Sequence, residues 1–466
     1  MLDTLCLLEK LKSNETRQDM MRKILLTCFY LLFSIQLYSQ QRGNKPEREK
    51  WFSSLGFGLF IHWSIDSQIG AVISHSLAGA SPDFRKRFFN ELPKTFNPLR
   101  FNPDEWASLA KLAGMRYVVF TAKHHSGFCM FKTNSTTFNI ANTPYSHDIT
   151  KEVITAFRKQ GIAIGLYFSP EDFYYLHQTD VPIGRLQNPL HYPAQNVGLM
   201  KYDKIQLKEL LSNYGKIDII FLDGPAEGLK EYCWELQPDI VVTRGHITTP
   251  EQKVPDTSIP SPWESCLTMG TDWQYKPTND LFKSGTELIN TLIETRAKGG
   301  NLLLNIGPKP NGTIREEEES RLRELALWNF ANSEAIHGVT SAPTLKDGNI
   351  WYSCSPNGKT IYAYITKNIW QYGERKEIVF PSITGNENTT VSILGYESNF
   401  VEYRQNFDAS IKIQTGPLGL IVSAVNGQRF YTNNKWPNPL VFKISGAHFR
   451  KQPSSKVNKS SLDGAQ

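Results

Sequence analysis

A chain of 466 residues is too long for one ordinary domain and long enough for a barrel of typical size with a module of roughly 100 residues beside it. With 40% hydrophobic and 21% charged residues it is globular rather than disordered, and its formal net charge of +6 forms no basic stripe that would serve nucleic acid. Six scattered cysteines (Cys6, Cys28, Cys129, Cys233, Cys266, Cys354) with no CxxC pair and no matching His spacing exclude the common structural zinc sites and read as reduced thiols.

Residues 1–19 are polar and read as an upstream-start extension. Met20-Met21-Arg22-Lys23, an apolar run from Ile24 to Leu37, and then Tyr38-Ser39-Gln40-Gln41 have the layout of a secretory signal over residues 20–40, so a secreted, periplasmic protein is expected. The run is too short for a membrane span.

From Trp51 onward, short apolar runs alternate with segments of helical period, the pattern of parallel strands joined by helices. Strands are expected at Gly56 to Trp63, Tyr117 to Lys123, Ile162 to Phe168, Lys216 to Leu222, Ile240 to Thr243 and Asn301 to Ile306. Helices are expected at Asp104 to Leu112, Thr150 to Gln160, Lys204 to Ser212, Leu229 to Leu236, Leu281 to Arg296 and Glu316 to Ala335. The strands are nearly continuous in apolar character, as strands buried on both faces must be. Beyond residue 340 the pattern becomes short strands separated by turns, among them Asn349 to Ser353, Thr360 to Thr366, Thr390 to Leu394 and Leu440 to Ser445. The expected fold is therefore a (β/α)8-type, TIM-like barrel over residues 45–340, followed by a C-terminal antiparallel β-sandwich over 341–450 and a disordered tail over 451–466.

In a barrel the chemistry sits at the carboxyl ends of the strands. The polar residues there are His62, His124 and His125, Tyr167, Asp223 and Arg244, and together they would face one crevice. Asp223, between Leu222 and Gly224, is a carboxylate at a partly desolvated mouth; it is either used or paired there, or else it caps the helix that follows. Glu264, in Pro262-Trp263-Glu264-Ser265-Cys266, supplies a second carboxyl group whose neighbours would limit its hydration and raise its pKa; the plainer reading is an exposed loop Glu. Two carboxyl groups across a sugar-sized site suggest glycoside hydrolysis, with retention at a separation of about 5 to 5.5 Å and inversion at about 6.5 to 9.5 Å. Adjacent strand residues point to opposite faces, so His124 and His125 are not expected to chelate one ion; they read as neutral imidazoles for sugar hydroxyls, or as buried structural histidines. Gly56-Phe57-Gly58 lacks the third glycine of a dinucleotide fingerprint.

Trp51-Phe52 with Gly56-Phe57-Gly58-Leu59-Phe60-Ile61-His62-Trp63, then Lys123-His124-His125-Ser126-Gly127-Phe128, then Tyr214 to Gly224, then Leu303-Leu304-Asn305-Ile306-Gly307-Pro308 with Asn311-Gly312-Thr313 resemble glycoside hydrolase family 29, the α-L-fucosidases. The resemblance covers about residues 48 to 340. It implies a retaining exo-glycosidase that releases terminal α-L-fucose from an oligosaccharide or polysaccharide without metal or cofactor, Asp223 being the nucleophile and Glu264 the acid/base. It places His62, His124, His125, Tyr167 and Arg244 around the sugar hydroxyls, with Trp63, His75, Phe221 and Trp273 also on the substrate.

Two departures stand out. Many fucosidases carry a Glu-Trp pair after the first strand, where this chain reads Ile73-Ser74-His75-Ser76-Leu77, and the Asp that usually follows the paired histidines is Ser126. Both alter hydroxyl recognition, so α-L-galactosidase is an alternative within the same family, L-galactose being L-fucose with one added hydroxyl. A sugar-binding protein without catalysis is the alternative from another class.

Overall fold

The structure is a computed structural model and describes residues 43–184, 188–367, 370–429 and 438–450, together with Arg22. The expected extension at 1–19, the rest of the signal segment at 20–40 and the tail at 451–466 lie outside the described residues.

Helix α1 (Pro46–Leu55) leads into β1 (Phe57–Ile61), and the alternation continues with α2 (Pro103–Leu112), β2 (Tyr117–Lys123), α3 (Ile149–Lys159) and β3 (Ala163–Phe168). It proceeds through α4 (Val197–Asn213), β4 (Ile219–Leu222), α5 (Leu229–Leu236), β5 (Val241–Val242), β6 (Glu264–Thr268), α6 (Gly285–Ala297), β7 (Asn301–Ile306) and α7 (Glu316–Asn332). The helix starts are chemically marked: Asn102, Asp148 and Ser284 cap α2, α3 and α6 by accepting from the backbone N–H three residues on, which satisfies donors that the first turn leaves unpaired. Asn196 does the same for α4, so that helix begins well before Lys204.

The strands form one parallel sheet in the order β5-β4-β3-β2-β1-β7-β6. This corrects the expectation of eight strands: among the described residues there are seven, and β5 and β6 are edges. The seam between them holds the segment 248–252, which makes only isolated parallel bridges to β6, Thr248 to Trp263 and Glu251 to Cys266. Prolines at 250 and 255 and the polar run between them keep this stretch from forming a full ladder.

Side chains alternate between the two faces of the curled sheet. Phe60, Tyr117, Val119, Tyr167, Ile219, Phe221, Cys266 and Leu303 fill the interior, while Leu59, Val118, Phe120, Ile220 and Leu222 join the larger core under the helices. Gly58 shares the interior parity of Phe60, and a Cβ there would lie 2.4 Å from the Tyr117 ring; the aromatic fills the space the glycine vacates. The same parity carries His62 and Asp223 to the mouth.

After α7 come antiparallel sheets. Strands β8 (Thr340–Asp347), β9 (Ile350–Cys354), β10 (Thr360–Ile365), β13 (Thr390–Ile393) and β16 (Leu440–Ser445) form a five-stranded sheet. Strands β11 (Arg375–Phe380), β14 (Lys412–Gly416) and β15 (Gly419–Val425) form a three-stranded one, and β12 (Ile383–Thr384) pairs with β17 (His448–Phe449). Phe380 meets Phe442 edge to face between the two larger sheets. The Trp328 indole on α7 donates to the Pro439 carbonyl, anchoring this region to the barrel. The four described cysteines are free and buried.

Candidate active site

A cavity of about 340 Å³ opens at the carboxyl ends of the strands. Phe60, Tyr167, Phe221 and Cys266 form its floor, Trp273 a wall, and His62, His75, His124, His125, Asp223, Arg244, Glu251, Glu171 and His191 its polar lining.

Asp223 follows β4 directly. Its Oδ1 accepts from the Arg244 guanidinium at 2.7 Å and its Oδ2 from the Tyr167 hydroxyl at 2.7 Å, and His125 Nε2 lies 3.6 Å away. Burial alone would raise its pKa, but His125, Arg244 and the Tyr167 hydroxyl overcome that and hold it down at about 2. The result is a carboxylate that is ionised at neutral pH, aimed by two donors.

The histidines are oriented by their neighbours. The Asn305 side-chain amide donates to the Trp273 carbonyl, so its oxygen accepts from His62 Nδ1–H at 2.6 Å. Burial lowers the His62 pKa to about 4, which leaves a neutral ring with Nε2 as an acceptor. Ser169 donates to the Glu171 carbonyl and therefore accepts from His125 Nδ1–H, which leaves His125 Nε2 facing Asp223.

Opposite-face alternation does not apply to His124 and His125. The ladder shifts register between Thr121 and Lys123 and the strand ends at Lys123, so both rings reach the cavity, 4.5 Å apart. Lys123 turns away from it, fully buried between Asp172 and Asp203 at 3.1 and 2.8 Å. His124, His125 and Asp223 present ligand atoms within 4.8 Å of one another, and Asp223 is already paired with the Arg244 guanidinium, whose positive charge beside the trio opposes a second cation there.

Two expected site residues lie elsewhere. Glu264 opens β6 at the amino end of the sheet, opposite Asn301. It points into the barrel beneath Cys266, fully buried, where the Tyr117 hydroxyl donates to it at 2.5 Å. Burial raises its pKa to about 8, but it does not line the cavity, and the floor separates it from Asp223. Trp63 has the opposite parity to His62; it is buried against Phe96, Phe101 and Trp106, outside the barrel interior.

The sequence comparison agrees with this geometry: the family described as alpha-L-fucosidase matches residues 35–334. The chain belongs to the α-L-fucosidase family. Its relatives include an alpha-L-fucosidase of Dictyostelium discoideum, 26% identical over 86% of this chain and 95% of that one. The human plasma alpha-L-fucosidase is 27% identical over 76% of this chain and 84% of its own. Among solved structures, alpha-L-fucosidase isoenzyme 1 from Paenibacillus thiaminolyticus superposes with a TM-score of 0.69 at 27% identity, covering 86% of this chain and 98% of that one. A Thermotoga maritima alpha-fucosidase complex shares the fold at 23% identity with a TM-score of 0.65, covering 87% of this chain and all of its own. As a member of this family the protein is a glycoside hydrolase.

Within this α-L-fucosidase-family chain, sequence reasoning missed several lining residues. Glu251 lies in the seam segment, and its Oε2 accepts from the second terminal nitrogen of Arg244 at 2.9 Å. Asp223 and Glu251 thus flank one guanidinium, two carboxylates on one cavity. Thr249-Pro250-Glu251, seven residues after Arg244, has no apolar run to announce it. Glu171 follows β3 in Ser169-Pro170-Glu171 and lies 2.9 Å from His191 Nδ1; extending the search four residues past Tyr167 would have found it.

Proposed function

We propose that the protein is a retaining exo-α-L-fucosidase in which Asp223 is the nucleophile and Glu251 the acid/base. The observation that carries this reading is the pair of carboxylates held on either side of Arg244 at one sugar-sized cavity. Two hydrogen bonds and the width of one guanidinium separate them, close enough for both to reach one anomeric centre. Asp223 attacks the anomeric carbon as the bond to the leaving oxygen breaks, and Glu251 gives that oxygen its proton. Glu251 then takes a proton from water, whose oxygen displaces Asp223 and restores the starting configuration. A Bacteroides thetaiotaomicron alpha-L-fucosidase of this fold has been solved as a trapped covalent intermediate with 2-fluoro-fucosyl fluoride, which is in keeping with such a double displacement.

Asp223→Asn should lower turnover of aryl α-L-fucoside by more than about a thousandfold while sugar binding persists; an unchanged rate would remove Asp223 from this role. Glu251→Gln should lose about a hundredfold or more on glycans but far less on nitrophenyl glycosides, whose leaving groups need little protonation. Equal losses on both would contradict the assignment. NMR of the first-formed product checks retention.

The stretch Ile73–Leu77 favours a second reading, α-L-galactosidase. It contains neither the Glu nor the Trp of the pair that the resemblance to α-L-fucosidases leads one to expect there, and a pocket that does not exclude one extra hydroxyl discriminates weakly, by about a hundredfold. Rates on the two aryl glycosides decide between them. The layout of residues 20–40 supports export of the enzyme, which fractionation of the native host would test.

A further inference from the structure

Ser74 is fully buried and does not line the cavity, yet it is one of the few non-glycine residues with positive φ among the described residues. Its φ is +60° with ψ −32°, and the N–H of His75 closes back on the carbonyl of Ile73 at 2.7 Å. This is a three-residue γ-turn of the rare, strained hand, centred on a residue that carries a Cβ. The turn throws Ile73 and His75 together into the cavity lining and sends the Ser74 side chain the other way.

Three bonds hold Ser74 there. Its N–H donates to Asp66 Oδ2 at 2.6 Å; Asp66 is itself fully buried, and its other oxygen accepts from the Gln274 amide at 3.1 Å. The Ser74 hydroxyl accepts from the N–H of Ser126 and lies 2.8 Å from His124 Nδ1. The His124 ring in turn stacks flat on Tyr167, 5.1 Å between centroids and 2° between planes. Tyr167 is the residue whose hydroxyl aims Asp223. A continuous path of contacts therefore runs from Asp66 through Ser74, His124 and Tyr167 to the carboxylate.

We propose that Ser74 is a positioning residue: the strained turn is maintained so that its hydroxyl fixes the ring plane and the hydrogen-bonding state of His124, through which the sugar is oriented over Asp223. A buried hydroxyl that orients a histidine from behind has the effect of an outer-shell ligand, whose loss costs about 10- to 100-fold. The inference rests on the glycosidase reading of the cavity.

The test exploits the backbone. Ser74→Gly keeps the turn, because glycine adopts positive φ without penalty, and removes the strained Cβ together with the hydroxyl; Ser74→Ala removes the hydroxyl alone and keeps the strained Cβ. Both variants should raise KM on the aryl glycoside that the wild type cleaves best, lowering kcat/KM about 10- to 100-fold with kcat less affected. Ser74→Gly should melt no lower than Ser74→Ala, since both lose the hydroxyl's bonds to Ser126 and His124 and only alanine keeps the strained Cβ. In both, the ¹⁵N resonance of His124 Nδ1 should move. An unchanged kcat/KM and an unmoved resonance would overturn the proposal, as would a loss of activity that matches the loss of folded protein, which would make the role merely structural. If the wild type cleaves no aryl α-L-glycoside, the functional reading fails, and the His124 resonance still tests Ser74 on its own.

Discussion

At the scale of single residues, position along a strand matters as much as chemical type. Glu264 has the raised pKa that its apolar neighbours suggest, but it sits at the closed end of the barrel. With a folded-state pKa near 8 against an ordinary value of 4.5, the folded chain holds this proton more tightly than the unfolded chain. The stability from this group is therefore complete below pH 4.5 and is lost as pH rises through 8. Glu264→Gln should accordingly leave kcat/KM within a few-fold of wild type, and its melting temperature should gain on the wild type steadily between pH 5 and pH 8. A gap that does not grow with pH, or a collapse of activity, would contradict this. The rule that the residue following an apolar run faces the mouth made Asp223, His62 and Arg244 legible. It could not exclude Trp63, since the parity that turns Trp63 outward is fixed only once His62 is known to point inward. Limited hydration around Glu264 was legible too, but hydration does not say which end of a strand a residue occupies.

At the scale of elements, the runs Tyr117–Lys123 and Asn301–Ile306 could be read to the residue because both faces of those strands are buried. Strand β6 was not legible, since Glu264, Ser265 and Thr268 break its apolar character while tertiary partners bury all five residues. The buried Lys123 is likewise invisible to a hydropathy reading, although it fixes the end of β2 and so the turn that delivers both histidines. Lys123→Met would leave Asp172 and Asp203 buried without their cation, at a cost of about 3 to 5 kcal/mol. Chemical denaturation should show that loss together with a fall in activity. Full stability in this variant would mean that the two carboxyl groups do not depend on the lysine.

At the scale of the whole molecule, the end of the barrel opposite the cavity is knitted by a cation that backbone carbonyls hold. Arg296, fully buried at the end of α6, donates to the carbonyls of Ser53, Gly300, Ile336 and Val339 and to the Asn301 side chain. It thereby joins α1, the start of β7 and the chain entering the antiparallel sheets. Arg296→Met should cost at least about 3 kcal/mol by stranding several carbonyls, while the folded fraction keeps its kcat/KM because the cavity lies at the other end. Unchanged stability in denaturant would refute this.

The unladdered seam has an implication for how such an enzyme can diversify. Asp223 is rooted in a strand paired on both sides, whereas Glu251 rides on a stretch tethered by a few backbone bonds to one neighbour. Residues added or removed between Gly245 and Thr248 would slide the Glu251 carboxyl along the rim and leave Asp223 undisturbed. Selectivity for what the sugar is attached to can thus drift by changes in loop length, with the hydrolytic chemistry conserved.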